Sequence, residues 1–341
     1  MVHQTGRDSR MKTGRHSIMA VLLLAVAGTV VVSAGLVGYL RHDTRRYADQ
    51  AIALLRPYAE VSYGNVSVSL SGSVGIDGIR IRWQQGEEIS IGSIQLQSSA
   101  LFPLSVIRRA WQTGRLPRSV SVSISDLELP VGSRLLQQWL GAATNEGGTT
   151  FRYTRCGGIK AFSPEALQAM GYQTLSMDLH VGYDLGKAPG EVMLRIALRD
   201  MLSAEVVIGL VLAANPLLPQ ELLRTPPRLS NAVLTLDDHS LNARTNHLCA
   251  ASSGLTVEHY IDAQVQFFAE SLRRQGLYAG PALLAAYRRY LTAGERLELS
   301  LQPDLPISSH ELRVLTPTEI FQLLKVQFKV NGMAVNDLAV E

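Results

Sequence analysis

The chain has 341 residues, of which 46% are hydrophobic and 18% charged, with 28 Gly, 14 Pro and 2 Cys. This composition excludes an intrinsically disordered chain, a collagen-like chain and a disulfide-dense scaffold. The net charge is +3, and residues 1–17 alone carry four basic residues against one acidic residue. The rest of the chain is therefore balanced, and a nucleic-acid-binding surface is not expected.

An uncharged apolar run begins at Ile18 and ends at Leu40. A helix of that length can cross a bilayer, so the run predicts a single transmembrane anchor that follows a basic cytoplasmic tail at residues 1–17. Val32-Ser33-Ala34 would suit signal-peptide cleavage, which is the alternative interpretation. An uncleaved anchor is favoured because the apolar run continues to Leu40. It would place the bulk of the chain in a bacterial periplasm, as a single-pass inner-membrane protein.

After the anchor, residues 41–58 show helical spacing and predict a stalk helix that Pro57 ends. The apolar period then changes to two, which is typical of strands. The Asp77-Gly78 pair predicts a hairpin turn, and Gly92-Ser93 predicts a bulge. The elements predicted in this half are strands at 66–70, 74–76, 79–83, 89–96 and 120–129, helices at 102–113 and 132–143, and a linker at 145–150.

In the second half, Ser163 and Pro164 predict the start of a helix that ends near Gly171. The three alternating stretches that follow have connections too short for crossover helices, so their strands should be antiparallel. The predicted elements are strands at 175–183, 191–198, 205–212, 231–236, 295–301 and 325–330, helices at 241–251, 257–274, 281–293 and 316–324, a proline-rich loop at 215–228, and an Asn331-Gly332 hairpin turn to a strand at 333–335.

Together these elements predict an α+β fold, in which an N-terminal transmembrane helix precedes a mostly antiparallel, curved β-sheet with packed helices. The predicted divisions are the tail at 1–17, the anchor at 18–40, the stalk at 41–58, a β-rich domain at 59–145 and an α+β periplasmic domain at 151–341.

Cys156 and Cys249 are the two cysteines of the chain. In an oxidising periplasm they are natural disulfide partners. The alternative is a pair of buried free thiols. The chain has no Cys-x-x-Cys motif, so a redox role is not expected.

Candidate catalytic and metal-binding groups are sparse. Asp178, His180 and Asp184 share the polar face of one predicted strand, where a carboxylate–histidine pair could transfer protons, but a solvated sheet face is the favoured explanation. The densest set of possible metal ligands has no zinc-motif spacing, and Asp238 with Ser240 is better explained by a turn or helix cap. We therefore expect neither an enzyme nor a cofactor. That set comprises Asp237, Asp238, His239, His247 and Cys249.

Aromatic residues recur on the predicted helices at 257–274 and 281–293: Phe267, Phe268, Tyr287 and Tyr290. They could line an apolar ligand groove. Apolar stripes at helical spacing more often pack against a core, so core packing is the favoured interpretation and the ligand groove is the alternative.

Residues 18–130 resemble the N-terminal region of AsmA-like envelope proteins of Gram-negative bacteria. The resemblance rests on the order of an anchor, a stalk helix, AEVSYGNVSVSLSGSVGIDGIRIRW, ISIGSIQLQ, FPLSVIRRAW, GRLP and SVSVSISDLELP. It covers about a third of the chain. It implies a role in outer-membrane lipid homeostasis and a β-sheet groove for lipid, without catalytic residues. The chain lacks the long run of repeats of larger members, which argues against a full lipid bridge.

The expected function is that of a non-enzymatic, membrane-anchored periplasmic protein that binds or transfers an envelope lipid or another apolar ligand. The alternative is a scaffold or assembly factor of an envelope or secretion complex, which acts through protein–protein contact. The expected partners are the lipid bilayer and an envelope lipid or protein, and not a nucleic acid.

Overall fold

The structure is a computed structural model, and it describes the greater part of the chain. The residues described are 38–50, 52–69, 72–83, 86–99, 112–113, 115–134, 136–137, 156, 163–212, 225–335 and 337–340. Residues 38–50 and 52–55 are helical, as predicted for the stalk. The tail at 1–17 and the greater part of the anchor lie outside the described residues, as do the linker at 145–150, most of the helices predicted at 102–113 and 132–143, and most of the proline-rich loop.

Strands dominate the described part of the chain. They are β1 (Ala59–Ser62), β2 (Asn65–Ser69), β3 (Ser73–Trp83), β4 (Glu88–Ser98), β5 (Ser119–Pro130), β6 (Thr174–Asp184), β7 (Gly190–Leu198), β8 (Leu202–Val211), β9 (Arg228–Asp238), β10 (Leu277–Ala279), β11 (Arg296–Leu301), β12 (Ile307–Ser308), β13 (Gln327–Val330), β14 (Met333–Val335) and β15 (Leu338–Val340). The helices after the stalk are α1 (Pro164–Ala169), α2 (Leu241–Ser253), α3 (Val257–Arg273), α4 (Pro281–Ala293), α5 (Ser309–Arg313) and α6 (Pro317–Leu324).

Most of these strands form one antiparallel sheet, in the order β1-β3-β4-β5-β6-β7-β8-β9-β11-β13-β14. β2 also pairs with β3, β12 also pairs with β9, and β10 and β15 form a separate pair. From β3 to β9 each strand lies beside its neighbours in sequence. The connections from β3 to β4, from β6 to β7 and from β7 to β8 are too short for parallel crossovers. The α+β class and the antiparallel pairing of the sheet are confirmed.

Local signals set the helix ends. The Ser163 side chain accepts a hydrogen bond from the backbone N–H of Ala166 and caps α1, as predicted. Thr256 caps α3 in the same way. Gly254 and Gly294, both with positive φ, end α2 and α4.

Three clusters make up the core. The largest joins β3, β4, β5 and β6 to α1 and the start of α2, and its fully buried members include Val131, Leu136 and Leu167. A second lies between α3, α4 and the strands β13 and β14. A third surrounds Cys156 and Cys249 and includes Tyr260.

The hairpin predicted at Asp77-Gly78 is wrong, because both residues lie inside the continuous strand β3. A two-residue hairpin turn of this kind needs positive φ at both positions. Here only Gly78 has a positive φ, of 65°, so the chain kinks without reversing. The neighbouring edge breaks into β1 and β2 beside this kink, where the Gly64 N–H donates to the carbonyl of Asp77. By contrast, Asn331 and Gly332 both have positive φ and form the predicted hairpin turn.

The bulge predicted at Gly92-Ser93 lies instead in the next strand. The register between β5 and β6 shifts between Ile124 and Leu127, and Asp126 has a φ of 51°. Gly92 faces this irregularity. A Cβ at Gly92 would lie 2.8 Å from that of Asp126, so its missing side chain makes room for the bulge.

The sheet and the largest core cluster both run across the predicted interval between domains. β5, which ends before residue 145, pairs along most of its length with β6, which begins after residue 151. Leu129 on β5 and Leu175 on β6 belong to the same buried cluster. The interval at 146–150 therefore does not coincide with a break in the sheet.

Candidate functional site

One face of the sheet carries an unbroken row of apolar side chains across eleven strands. Residues directly opposite each other in antiparallel strands point to the same face, so the pairing defines the row. We call it the central apolar row. Its members, from β2 to β14, are Val68, Val74, Leu96, Val122, Val181, Leu194, Val206, Leu234, Leu299, Phe328 and Val335.

Three neighbouring members of this row are exposed. The exposed fractions are 36% for Val122, 43% for Val181 and 38% for Leu194, on the adjacent strands β5, β6 and β7. The next three members along the row are half-buried. From β5 to β11 the row passes over six strands, or about 24 Å at the usual strand spacing.

A second apolar row runs beside the first, two residues along each strand. Its members are Val120, Tyr183, Val192, Ile208, Ala232 and Leu301. All six are half-buried. Burial raises the pKa of the Tyr183 phenol above its ordinary value. From β5 to β11 the two rows together form a continuous apolar surface, which we call the open apolar face.

Helices cover the sheet on either side of this surface. Near β13 and β14, α3 and α4 pack on the same face, and their cluster includes Leu297, Phe328 and Val335. Toward the Leu129 end of β5, the largest core cluster covers the face. The open apolar face is the part that these described helices leave uncovered.

The aromatic residues of α3 and α4 belong to that packing. Phe268 stacks on Tyr287 with ring centroids 4.3 Å apart, and Phe268 and Tyr290 pack into the second cluster. Burial raises the pKa of Tyr287 and of Tyr290 to about 12. Phe267 instead lies beneath the Arg274 guanidinium. The structure thus places Phe268, Tyr287 and Tyr290 in core packing rather than along a groove.

Charged groups occupy the opposite face of the sheet. In the cross-strand row next to the central apolar row, Arg195 on β7 lies directly opposite His180 on β6 and Glu205 on β8. Farther along, Lys329 donates to Glu298 at 2.7 Å. This two-sided pattern is usual for an antiparallel sheet with one solvated face. No charged side chain belongs to either apolar row, so the open apolar face offers contact to hydrocarbon but no ionic recognition.

The candidate acid–base residues of β6 have separate partners. Asp178 Oδ1 accepts from the backbone N–H of Asp126 at 2.8 Å. His180 Nδ1 lies 2.8 Å from Ser123 Oγ, and Asp184 Oδ1 accepts from the Gly186 N–H at 2.9 Å. His180 and Asp184 line an open depression of about 430 Å³, together with apolar residues such as Val120 and Met193. Neither the Asp178 carboxylate nor the Asp184 carboxylate is hydrogen-bonded to the His180 imidazole.

The candidate metal ligands Asp237 and Asp238 make structural contacts. Asp237 pairs with Arg296, and Asp238 Oδ1 accepts from the Asn242 N–H at 3.0 Å near the start of α2. Burial raises the Asp238 pKa, and its Oδ2 has no hydrogen-bond partner among the residues that the structure describes. Among the residues that the structure describes, no three His, Cys, Asp or Glu side chains are grouped to hold a metal ion.

Cys156 and Cys249 are joined by a disulfide, with their Cα atoms 4.3 Å apart. Both are buried, and they pack with Tyr260. The bond attaches residue 156 to α2. Of the two residues that bound the predicted anchor, Leu40 lies in the stalk helix and Ile18 lies outside the described residues. Within the described ranges, no helix has both the length and the apolarity needed to cross a membrane.

Sequence reasoning found the alternating strands that carry the open apolar face but did not identify the face itself. The alternation of apolar residues is visible within single strands, for example at Val120 and Val122 or at Val192 and Leu194. The register that aligns them across strands depends on connections and bulges that the residue pattern does not specify.

A family model described as "Uncharacterized protein" matches residues 166–331, just under half of the chain. The matched stretch contains β6 to β9, α2 to α4 and β11, and thus most of the open apolar face. No curated protein gives a significant match, and no solved structure does.

Proposed function

We propose that this protein is a non-enzymatic, inner-membrane-anchored periplasmic protein that binds an envelope lipid or another apolar ligand on its open apolar face. The observation that carries the proposal is the exposed stretch of the central apolar row at Val122, Val181 and Leu194. Contiguous apolar surface on a protein marks a binding site more often than scattered apolar residues do. The resemblance of residues 18–130 to AsmA-like proteins supports a lipid as the ligand.

The composition of the face favours hydrocarbon over a polar ligand. Both rows consist of aliphatic and aromatic residues, and the single side-chain hydroxyl is that of Tyr183. The apolar rows from β5 to β11, exposed on β5 to β7 and half-buried beyond, extend about 24 Å, whereas one leaflet of the hydrocarbon core is about 15 Å deep. An acyl chain can therefore lie across the strands without leaving the apolar rows.

The expected affinity follows from the exposed area. Burying a Val or Leu side chain completely is worth about 1.5–3 kcal/mol, and each of the three exposed members is about two-fifths exposed. Covering all three therefore contributes about 2–4 kcal/mol, and the half-buried neighbours add to it. Apolar contacts of this size support a reversible complex.

Photo-crosslinking in cells tests the proposal directly. The full chain would carry p-benzoylphenylalanine in place of Leu194, or in place of the neighbouring Arg195, which points to the opposite face. After irradiation in a Gram-negative host grown on radioactive phosphate, we expect a labelled phospholipid adduct at position 194 and none at 195. Absence of any adduct at 194 would contradict ligand binding on this face.

Two matched double variants sharpen this test. Val181→Gln with Leu194→Gln alters one cross-strand pair of the open apolar face, and His180→Gln with Arg195→Gln alters the adjacent pair on the polar face. With the crosslinker placed at Val206, the apolar-face variant should lower lipid adduct yield about tenfold or more, because two contacts are lost and two amides must be desolvated. The polar-face variant should leave the yield unchanged. Equal losses in both would indicate general misfolding.

Two observations favour the scaffold alternative. The apolar surface is an open sheet face rather than an enclosed cavity, and the short terminal strand β14 exposes Met333. Such a surface also suits a protein partner. A protein-sized adduct at position 194, without phospholipid, would support the scaffold role instead of lipid binding.

A further inference from the structure

The open apolar face is bordered by polar groups at one corner, where β4 and β6 end and β5 begins. Val120 of the second apolar row lies directly opposite Tyr183 on β6 and Ser98 on β4. Tyr183 has the one hydroxyl of the two rows, and the second row stops being apolar at Ser98. Arg118 precedes Val120 by two residues. We call Ser98, Arg118 and Tyr183 the polar corner.

Arg118 follows the apolar rows on their own face of the sheet. Its carbonyl accepts a hydrogen bond from the Leu185 N–H at 2.7 Å, so the ladder between β5 and β6 continues past the first residue of β5. Side chains alternate along a strand, and Arg118 therefore shares a face with Val120 and Val122. Arg118 is exposed, and within the described ranges no residue forms an ion pair or hydrogen bond with its guanidinium. The group can therefore receive an anion.

The carboxylates beside this corner belong to the opposite face of the sheet. Asp184 lies opposite Ser119 and Glu191, in the row that alternates with the second apolar row. Asp184 accepts from a backbone N–H at 2.9 Å, and Glu191 pairs with Lys187 at 2.9 Å. The depression that both carboxylates line is formed mainly by residues of that face. Arg115 is also exposed and at most about 10 Å along the chain from Arg118, so the apolar side of the corner has an excess of positive charge.

Two other boundaries of the open apolar face are apolar and covered. Along β5 the same face continues from Val122 to Ile124, which packs against the largest core cluster. Across the strands, α3 and α4 cover the side near β13. An amphipathic ligand on the apolar rows must keep its charged group hydrated or paired, because burying an unpaired charge is unfavourable. The polar corner, by contrast, offers both water and a counter-charge.

We propose that the polar corner binds the acidic headgroup of the ligand, so that the protein takes an anionic phospholipid in preference to a zwitterionic one. This inference rests on the proposed binding of lipid to the open apolar face. The planar guanidinium of Arg118 can donate two N–H groups to one phosphate. Tyr183 is the diagonal neighbour of Arg118 on the next strand, and its hydroxyl supplies a donor for a glycerol or ester oxygen. The acyl chains then extend from β5 towards β11.

The selectivity follows from the charges on this side of the sheet. An anionic and a zwitterionic phospholipid present the same phosphate to Arg118. The zwitterionic headgroup also brings an ammonium group, which Arg115 and Arg118 repel. Asp184 and Glu191 cannot neutralise that ammonium from the opposite face, where they already have partners. The preference is electrostatic and exposed to solvent, so salt should weaken it.

Competition between two lipids with identical acyl chains tests the inference. The full chain with p-benzoylphenylalanine in place of Leu194 would be placed in mixed micelles that contain equal amounts of dioleoyl phosphatidylglycerol and dioleoyl phosphatidylethanolamine. After irradiation, mass spectrometry of the adducts gives the ratio of the two lipids bound on the open apolar face. Arg118→Gln removes the proposed headgroup contact. The matched control is Arg195→Gln, which removes one positive charge from the polar face beside position 194.

We expect phosphatidylglycerol adducts to exceed phosphatidylethanolamine adducts about fivefold, which is the scale of one exposed ion pair. Arg118→Gln and high salt should each bring the two yields close to equality, and Arg195→Gln should leave the ratio unchanged. Equal yields in the parent chain, or a ratio that Arg118→Gln does not alter, would overturn the inference and leave lipid binding intact. An equal loss of both adducts in Arg118→Gln would also overturn it, because the residue would then support the face rather than select the headgroup. Absence of any adduct at position 194 would overturn the proposed function itself.

Discussion

Removal of the disulfide between Cys156 and Cys249 is the perturbation whose cost can be derived most directly. The two residues are 93 positions apart, so the bond closes a large loop that contains β6 to β9 and joins residue 156 to the buried face of α2. Reduction frees that loop in the unfolded chain while leaving every other contact available. The loss of stability should therefore follow the entropy of loop closure.

For a loop of this length, the chain-entropy relation gives a contribution of about 4–5 kcal/mol at 25 °C. The urea dependence of the free energy of unfolding for a protein of this size is about 3 kcal/mol/M. Reduction should therefore lower the urea midpoint by about 1.5 M. That shift is large compared with the few tenths of a kcal/mol expected for most surface substitutions.

The assay is urea unfolding of the full chain in detergent, followed by circular dichroism and equilibrated with or without reductant. Intact mass under denaturing conditions should rise by two mass units on reduction, from the two thiol hydrogens. The variant with Cys156→Ala and Cys249→Ala serves as control, since its midpoint should be insensitive to reductant. An unchanged midpoint of the native protein after the mass change would refute the loop-closure argument.

Two further predictions concern the start of α4 and the buried tyrosines of α3 and α4. Asp337 accepts hydrogen bonds from two N–H groups at the start of α4, at 2.6 and 2.8 Å, so Asp337→Ala should cost about 1–2 kcal/mol as a lower urea midpoint, and Asp337→Asn should cost less. An equal effect of both substitutions would contradict the capping role. Burial raises the pKa of Tyr260, Tyr287 and Tyr290 to about 12, above an unfolded value near 10. The folded state therefore holds these protons more tightly, so the contribution of the three tyrosines to stability should be fully present below pH 10 and be lost between pH 10 and 12. Absorbance at 295 nm should show the three phenols ionising later than the exposed tyrosines, and simultaneous ionisation of all tyrosines near pH 10 would contradict their burial.

Two Asx-Gly pairs show how far local sequence predicts local structure. Asn331-Gly332 forms a hairpin turn because both residues have positive φ and short strands follow in either direction. Asp77-Gly78 has the same chemistry but lies within β3, where pairing with β4 on one side and with β1 and β2 on the other keeps the chain extended. Tertiary pairing overrides the turn propensity there, since a reversal would break the ladders on both sides of the kink.

Helix caps, in contrast, were predictable because they depend on residues that are close together in the chain. The hydrogen bonds that start α1 and α6 are made by side chains within three residues of the groups they satisfy. Ser163 with Pro164, and Thr316 with Pro317, therefore carry the necessary information locally. The pair of β10 and β15 was not predictable, because it joins two three-residue segments about sixty positions apart.

The sequence by itself determined the strand-rich α+β class, the antiparallel connections, the main helices and the apolar run at 18–40, because each depends on the spacing of residues close together in the chain. Only the tertiary structure decided which side chains meet. The open apolar face exists because the register of successive strands aligns Val122, Val181 and Leu194, and a shift of one residue in any strand would turn its apolar side chains to the other face.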